Sequence, residues 1–247
     1  MTQNTFENTS QIGTLYGLGV GPGDPGLLTI AASKLLGEVD DIFTASSSAN
    51  EDSLAAKIAA PYIKTGAVTT KLGFPMTSDR AVLESAWDRN ANVVATSLKG
   101  GRSAAFLTLG DCLTYSTYSY LLKHLFKIMP EAKVVSIPGI TSYQLAAARL
   151  NRPLVMGRET LTILGGASDE QEADSLARLS DNLVILKSYR ETSAMIEKLK
   201  DMKVAGQAAL CANLSLAGET VIDGLEENFT VPNSYFSLIL VNKRPRD

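Results

Sequence analysis

The stretch YGLGVGPGDPGLLT, residues 16–29, decides the fold of the first half of the chain. An apolar, strand-like run breaks into the loop GPGDP, residues 21–25, and then returns to an apolar helical pattern. Glycine permits positive φ and close backbone approach, whereas proline fixes φ and removes an N–H donor. The stretch therefore predicts a strand, a loop of fixed shape over which a small ligand could lie, and a helix.

This loop differs from the loops that bind nucleotide phosphates. The fingerprint G-x-G-x-x-G places Pro22 or Asp24 at its third glycine, and no lysine follows as in a P-loop. Phosphate is held by backbone N–H groups, which Pro22 and Pro25 lack, and Asp24 adds negative charge. The loop suits a neutral or cationic ligand. The alternative is a tight strand-to-helix turn that binds nothing.

Composition limits the function classes. The 247 residues are 45% apolar and 20% charged, with a net charge of −3, so neither nucleic acid nor an anionic membrane is a favoured partner. Cys112 and Cys211 form no disulfide framework, which predicts reduced thiols and a cytoplasmic protein. The single histidine, His124, excludes multi-histidine metal sites; we expect no metal, and a surface or half-buried His124 without a catalytic role. Residues 1–13 are expected to be a polar tail without signal-peptide character, and no apolar run could span a membrane.

Strand and helix patterns alternate through the first half of the chain. Because each buried strand is followed by a helix, we expect a mostly parallel sheet covered on both faces. The strands are predicted over 14–20, 41–45, 104–110 and 133–139, and the helices over 29–36, 54–62, 77–96, 117–126 and 141–150.

The second half has closely spaced strands, which favour a mixed sheet with antiparallel edges. Strands are predicted over 160–166, 182–188, 208–213, 220–224 and 235–243, with an acidic helix after the first and another helix over 191–202. The segment 151–159, with Pro153 and Gly157, is the predicted hinge. We expect two α/β domains, 14–152 and 153–247, with a cleft between them.

Three loops rich in small residues follow predicted strands of the first half: 21–24, 110–116 and 138–142. The carboxyl ends of parallel strands share one edge, and ligands bind outside it. Asp111 could accept hydrogen bonds from a ribose or an ammonium group. The alternative is that Asp111, Ser116, Thr141 and Ser142 only cap helices.

Other charged residues are candidates either for ligand contacts or for solvated surface. Lys187 ends a strand, and Arg149, Arg152 and Arg158 flank the hinge, where clustering would create an anion site. Asp40, Asp41 and the run 169–174 are expected to be solvated faces.

Three segments together resemble the tetrapyrrole methylase family: YGLGVGPGDPGLLT, then FLTLGD-x-x-TYSTYSYL (106–121), then IPGITSYQLAAARLNRPLVMGRETL (137–161). The resemblance runs from Leu15 to Lys243. It implies a methyltransferase of two α/β domains that uses S-adenosylmethionine, releases S-adenosylhomocysteine, and is a homodimer. The substrate would be a tetrapyrrole held in the cleft.

The resemblance also implies roles for particular residues. Asp111 and Tyr115 are the catalytic candidates. The implied cofactor contacts are Leu109, Gly110, Asp111, Thr114, Tyr115, Thr141, Ser142, Lys187 and Leu214. The implied substrate contacts are Gly21, Pro22, Gly23, Asp24, Arg149, Arg152, Arg158 and Arg190, the arginines as partners of the substrate's carboxylates.

The chain departs from the family pattern at three positions. Cys112 replaces a usual proline, Gly26 a usual glutamate and Arg158 a usual aspartate. Two alternatives stay open: a family member with another ring position or substrate, and a module that binds an adenosyl ligand without turnover.

Overall fold

The computed structural model describes residues 11–47, 53–166, 180–188, 192–227 and 229–243. The chain divides into two compact units, Met1–Ile140 and Thr141–Asp247, and each contains a five-stranded sheet. The predicted α/β class, with a parallel sheet followed by a mixed sheet, is confirmed. The domain boundary at 152–153 and the cleft stay predictions.

The first unit has a sheet of five parallel strands in the order β3-β2-β4-β1-β5. The strands are β1 (Thr14–Gly19), β2 (Asp41–Ser46), β3 (Val68–Gly73), β4 (Ala104–Thr108) and β5 (Lys133–Ile137). The helices are α1 (Ile30–Leu36), α2 (Leu54–Ala59), α3 (Arg80–Lys99) and α4 (Tyr118–Ile128).

Helices cover both faces of this sheet. On one face, α3 and α4 pack through Leu98 and Leu121 against Phe106 of β4. On the other, α1 and α2 pack through Leu36 and Ile58. The central strand β4 is buried along its whole length, which explains why its sequence is a continuous apolar run.

Three features of the first unit differ from the sequence prediction. Strand β3 was not predicted, because it is an edge strand whose side chains are mostly polar and exposed. His124 is fully buried, whereas a surface or half-buried residue was predicted, and its Nδ1 lies 2.7 Å from Asp88 Oδ1. Asp41 is buried rather than solvated, because Arg102 donates two hydrogen bonds to its carboxylate. Those bonds hold the pKa of Asp41 below its usual value.

The second unit has a mixed sheet in the order β6-β7-β10-β8-β9. Its strands are β6 (Leu161–Leu164), β7 (Asn182–Leu186), β8 (Ala208–Ala212), β9 (Thr220–Asp223) and β10 (Ser237–Asn242). The α-helices among the described residues of this unit are α5 (Ser142–Leu150) and α6 (Thr192–Asp201). Strands β6 and β7 are parallel, and β10 lies antiparallel to both β7 and β8. Strands β6, β7 and β8 therefore end at one edge.

Several predictions concern residues outside those that the structure describes. They are the tail residues 1–10, the acidic run 169–174 with its helix, and Arg190.

Candidate active site

Three of the loops singled out from the sequence begin at one edge of the first sheet. Leu18 of β1 lies beside both Leu107 of β4 and Ile137 of β5, and all three strands run in the same direction. The loops after β1, β4 and β5 therefore start at the same level. We call this side of the first sheet the carboxyl edge.

The first two loops are joined by backbone hydrogen bonds. Gly21 N–H donates to the Gly110 carbonyl at 3.2 Å, and Gly110 N–H donates back to the Gly21 carbonyl at 2.8 Å. Both glycines have positive φ, 80° and 70°, which L-residues rarely adopt. Pro22 and Gly23, predicted as substrate contacts, are buried in the same turn.

The third loop approaches the other two so closely that only glycine fits. A Cβ on Gly139 would lie 2.1 Å from the Gly110 carbonyl oxygen, and one on Gly19 would lie 2.6 Å from it. Gly19 and Gly139 were not singled out as functional residues. The glycine spacing around Gly19 was visible in the sequence, but the close approach depends on strand order, which the sequence does not show.

Asp111 fixes the loop after β4 and ties it to the loop after β5. One carboxylate oxygen accepts hydrogen bonds from Leu113 N–H at 2.9 Å and from the Thr114 hydroxyl at 3.0 Å. The other accepts from Gly139 N–H at 3.0 Å. Partial burial raises the pKa of Asp111, but these hydrogen bonds outweigh burial and hold the pKa below its ordinary value. Asp111 is thus an anchored carboxylate and a weak base.

Helix capping accounts for part of the candidate set. Thr141 caps α5 in a reciprocal capping box with Gln144. Asp24 accepts from Gly26 N–H at 2.7 Å and caps a short 3-10 helix over Pro25–Leu27. The Ser116 hydroxyl accepts from Tyr118 N–H at the start of α4. Ser142 is the first residue of α5.

Tyr115 has an unusual backbone for an aromatic residue. Its φ is 50°, and its side chain is 54% exposed. Two other residues with positive φ, Asn151 and Lys203, have an ordinary explanation, since each ends a helix in a Schellman arrangement. Tyr115 lies in a loop at the carboxyl edge, where strained backbone often accompanies ligand binding.

We expect Tyr115→Gly to lower activity without lowering stability. Glycine removes a left-handed strain of about 1–2 kcal/mol but adds unfolded-chain entropy, so the melting temperature should stay level or rise slightly. The rate of the methyl transfer that the resemblance implies should fall at least about tenfold if the ring contacts a ligand. Thermal unfolding and initial rates check this.

The matched control is Lys203→Gly, because Lys203 is exposed and has φ of 57°. This change should likewise leave the melting temperature level or slightly raised, and it should leave the rate unaltered. Full activity in Tyr115→Gly would remove Tyr115 from the site.

In the second unit, Lys187 and Leu214 follow strands that end at the same edge. Lys187 N–H donates to the Ser237 carbonyl, and the neighbouring Asn213 N–H donates to the Phe236 carbonyl, so both strand ends flank the start of β10. Lys187, Asn213 and Ser215 have φ of 54°, 52° and 61°. Sequence reasoning did not single out Asn213 or Ser215, although asparagine adopts a left-handed backbone more readily than most residues.

Of the four arginines predicted as carboxylate partners, Arg149 and Arg152 each pair with a carboxylate of this chain. Arg149 Nε donates to Glu219 at 2.9 Å. Arg152 is buried and pairs with Asp223. Asp223 lies opposite the first residues of β8, whereas Leu214 follows the last residues of that strand. Arg158 is exposed.

Two of the three departures from the family pattern, Cys112 and Gly26, have a local explanation in the structure. Cys112 is buried, its thiol donates to the Ile137 carbonyl, and burial raises its pKa to about 11. Gly26 supplies the N–H that Asp24 accepts.

Within the described ranges, no group of three or more His, Cys, Asp or Glu residues could hold a metal ion. None of the helices among the same residues is long and apolar enough to cross a bilayer.

Comparisons with known proteins identify the family of the chain. The family model for tetrapyrrole (corrin/porphyrin) methylases matches residues 14–230. The cobalt-precorrin-2 C(20)-methyltransferase of Salmonella typhimurium is 32% identical over 233 residues, covering 94% of this chain and 97% of that protein.

Solved structures share the fold. Cobalt precorrin-4 methyltransferase, CbiF, has a TM-score of 0.71 at 18% identity, over 93% of this chain and 94% of that one. The uroporphyrin-III C-methyltransferase of Thermus thermophilus, complexed with S-adenosyl homocysteine, has a TM-score of 0.64 at 20% identity, over 94% and 98%. The chain belongs to the tetrapyrrole methylase family, which is a methyltransferase family.

Proposed function

We propose that this protein transfers a methyl group from S-adenosylmethionine to C20 of precorrin-2 or its cobalt-containing form, in cobalamin biosynthesis. The observation that carries the proposal is the likeness to the Salmonella C(20)-methyltransferase over almost the full length of both chains. The segments that resemble the family include all three loops of the carboxyl edge.

The chemistry of the carboxyl edge fits a cationic cofactor. Asp111 is an anchored carboxylate whose lowered pKa keeps it charged, and Pro22 offers no N–H for a phosphate. S-adenosylmethionine, when bound, supplies a methyl group on a sulfonium cation and carries an ammonium group. The residues that would hold it are those of the implied cofactor set, from Leu109 to Ser142 in the loops and Lys187 and Leu214 in the second unit.

This chain would act mainly by positioning. The meso carbon of a reduced tetrapyrrole is itself electron-rich, so no strong base is required, and orientation in a dry site supplies much of the rate. Asp111 is a poor proton acceptor because three donors stabilise its charged form. We assign it a positioning role, with water taking the proton that C20 loses.

Arg149 and Arg152 already pair with carboxylates of this chain. We therefore favour Arg158 and Arg190 as partners of the substrate's carboxylates. We also propose that the protein is cytoplasmic, which is consistent with its two buried free cysteines. We further propose that it is a homodimer, and light scattering of the purified protein tests this.

The test is incubation with S-adenosylmethionine and either reduced precorrin-2 or its cobalt form under anaerobic conditions. We expect at least one of the two forms of the tetrapyrrole to gain the mass of one methyl group. Binding of S-adenosylhomocysteine in a calorimeter without any mass gain would instead favour a binding module. A gain only on a different acceptor would identify another member of the family.

A further inference from the structure

Exposed apolar side chains concentrate at the carboxyl edge of the first sheet. Among the described residues, six large apolar side chains are more than half exposed. Four follow the strands of the first sheet: Ile30 at 74%, Met76 at 73%, Leu113 at 57% and Tyr115 at 54%. The others are Met156 at 63% and Val68 at 54%. Single exposed apolar residues are ordinary, whereas a shared location is not.

The topology places all four at this edge. Ile30 is the first residue of α1, which must run back toward the start of the parallel strand β2. Met76 lies three residues after Gly73, the last residue of β3. Leu113 and Tyr115 belong to the loop after β4. Val68, by contrast, is the first residue of β3 and lies at the opposite edge.

We infer that Ile30 and Met76 form an apolar support for the tetrapyrrole ring and help to select a large, flat substrate; the inference rests on the proposed function. A tetrapyrrole has an extended unsaturated ring with carboxylates only at its periphery, so its faces need apolar contacts. A methionine thioether adapts to such a surface and makes favourable contacts with unsaturated rings. Leu113 and Tyr115 continue the apolar surface into the loop that Asp111 anchors.

The tetrapyrrole and the cofactor are expected to contact different residues. S-adenosylmethionine is small and charged, and its predicted contacts lie in the loops after β4 and β5 rather than at Ile30 or Met76. Loss of either apolar side chain should therefore weaken the tetrapyrrole alone. Binding lost equally from ground state and transition state raises KM and leaves kcat unchanged.

The experiment compares Met76→Gln, Ile30→Thr and the control Val68→Thr with the unaltered protein. All three sites are exposed, so melting temperatures should be similar. We expect KM for the tetrapyrrole to rise about tenfold in Met76→Gln and in Ile30→Thr, with kcat unchanged. The dissociation constant of S-adenosylhomocysteine should stay constant, and Val68→Thr should behave as the unaltered protein.

Unchanged KM in both test variants, or an equal rise in Val68→Thr, would overturn the inference while leaving the methyltransferase proposal intact. A shift in oligomeric state instead of KM would assign the apolar residues to contact between copies of the chain and would also overturn it. If the unaltered protein methylates no tetrapyrrole, the proposed function fails. Fluorescence titration with uroporphyrin then tests the apolar support separately, and equal affinity in all variants would reject it.

Discussion

Gly139→Ala is expected to destabilise the carboxyl edge of the first sheet and to abolish binding of S-adenosylhomocysteine. The new Cβ would lie 2.1 Å from the Gly110 carbonyl oxygen and 2.7 Å from the Gly19 carbonyl carbon. Both are backbone atoms next to paired strands, so neither can move without breaking hydrogen bonds. Overpacking of this kind costs about 1–3 kcal/mol, and sometimes more.

The measurements are thermal unfolding and calorimetric binding. The melting temperature should fall by roughly 2–12 °C, since 1 kcal/mol corresponds to about 2–4 °C in a chain of this size. The control is Gly73→Ala, because a Cβ on Gly73 meets nothing within 4 Å. A stable, ligand-binding Gly139→Ala protein would contradict the close convergence of the three loops.

Asp111→Ala is expected to release the loops after β4 and β5 from each other. The carboxylate accepts from Leu113 N–H, the Thr114 hydroxyl and Gly139 N–H, and hydrogen bonds to a charged group are worth about 1.5–3 kcal/mol each. We expect affinity for S-adenosylhomocysteine to fall at least about tenfold, with a smaller loss in Asp111→Asn, which keeps one acceptor oxygen.

Acid titration gives this variant a second readout. Because the folded-state pKa of Asp111 lies below its ordinary value of 3.8, its charge stabilises the fold above that value. The contribution should disappear as the pH falls below 3.8 and through the lowered pKa. The stability difference between the unaltered protein and Asp111→Asn should therefore be full at neutral pH and shrink in acid.

The control is Asp40→Asn, since Asp40 also has a lowered pKa, owing mainly to a hydrogen bond from Lys64. Asp40 precedes β2, at the opposite edge of the sheet. It should lose acid-dependent stability but keep full affinity. Equal affinity loss in both variants would show that Asp111 acts only on global stability.

Periodicity and turn residues predict much of the fold because they report local structure directly. The continuous apolar run of β4 and the alternation of strands with helices were sufficient to predict the parallel sheet. Strand β3 was not predicted because its exposed threonine and lysine side chains give no buried-strand pattern. The burial of Asp41 and His124 was not predicted because their partners, Arg102 and Asp88, lie 61 and 36 residues away in the sequence.

The candidate site divides in the same way. Its loops were visible because glycine, proline and aspartate mark turns, but the sequence left open whether they bind or only cap. The structure shows that Thr141 and Asp24 cap, whereas Asp111 bridges two loops. Arg149 pairs with Glu219, and Arg152 pairs with Asp223. The spacing of these residues in the sequence does not show which carboxylate meets which arginine.

The most direct test of the proposed function is the position of the transferred methyl group. The protein should be incubated with S-adenosylmethionine carrying a carbon-13 methyl group and with precorrin-2 in metal-free and cobalt forms, and the product examined by NMR. We predict a single labelled methyl group attached to C20. A label on another ring carbon, or an unlabelled tetrapyrrole despite bound cofactor, would contradict the account.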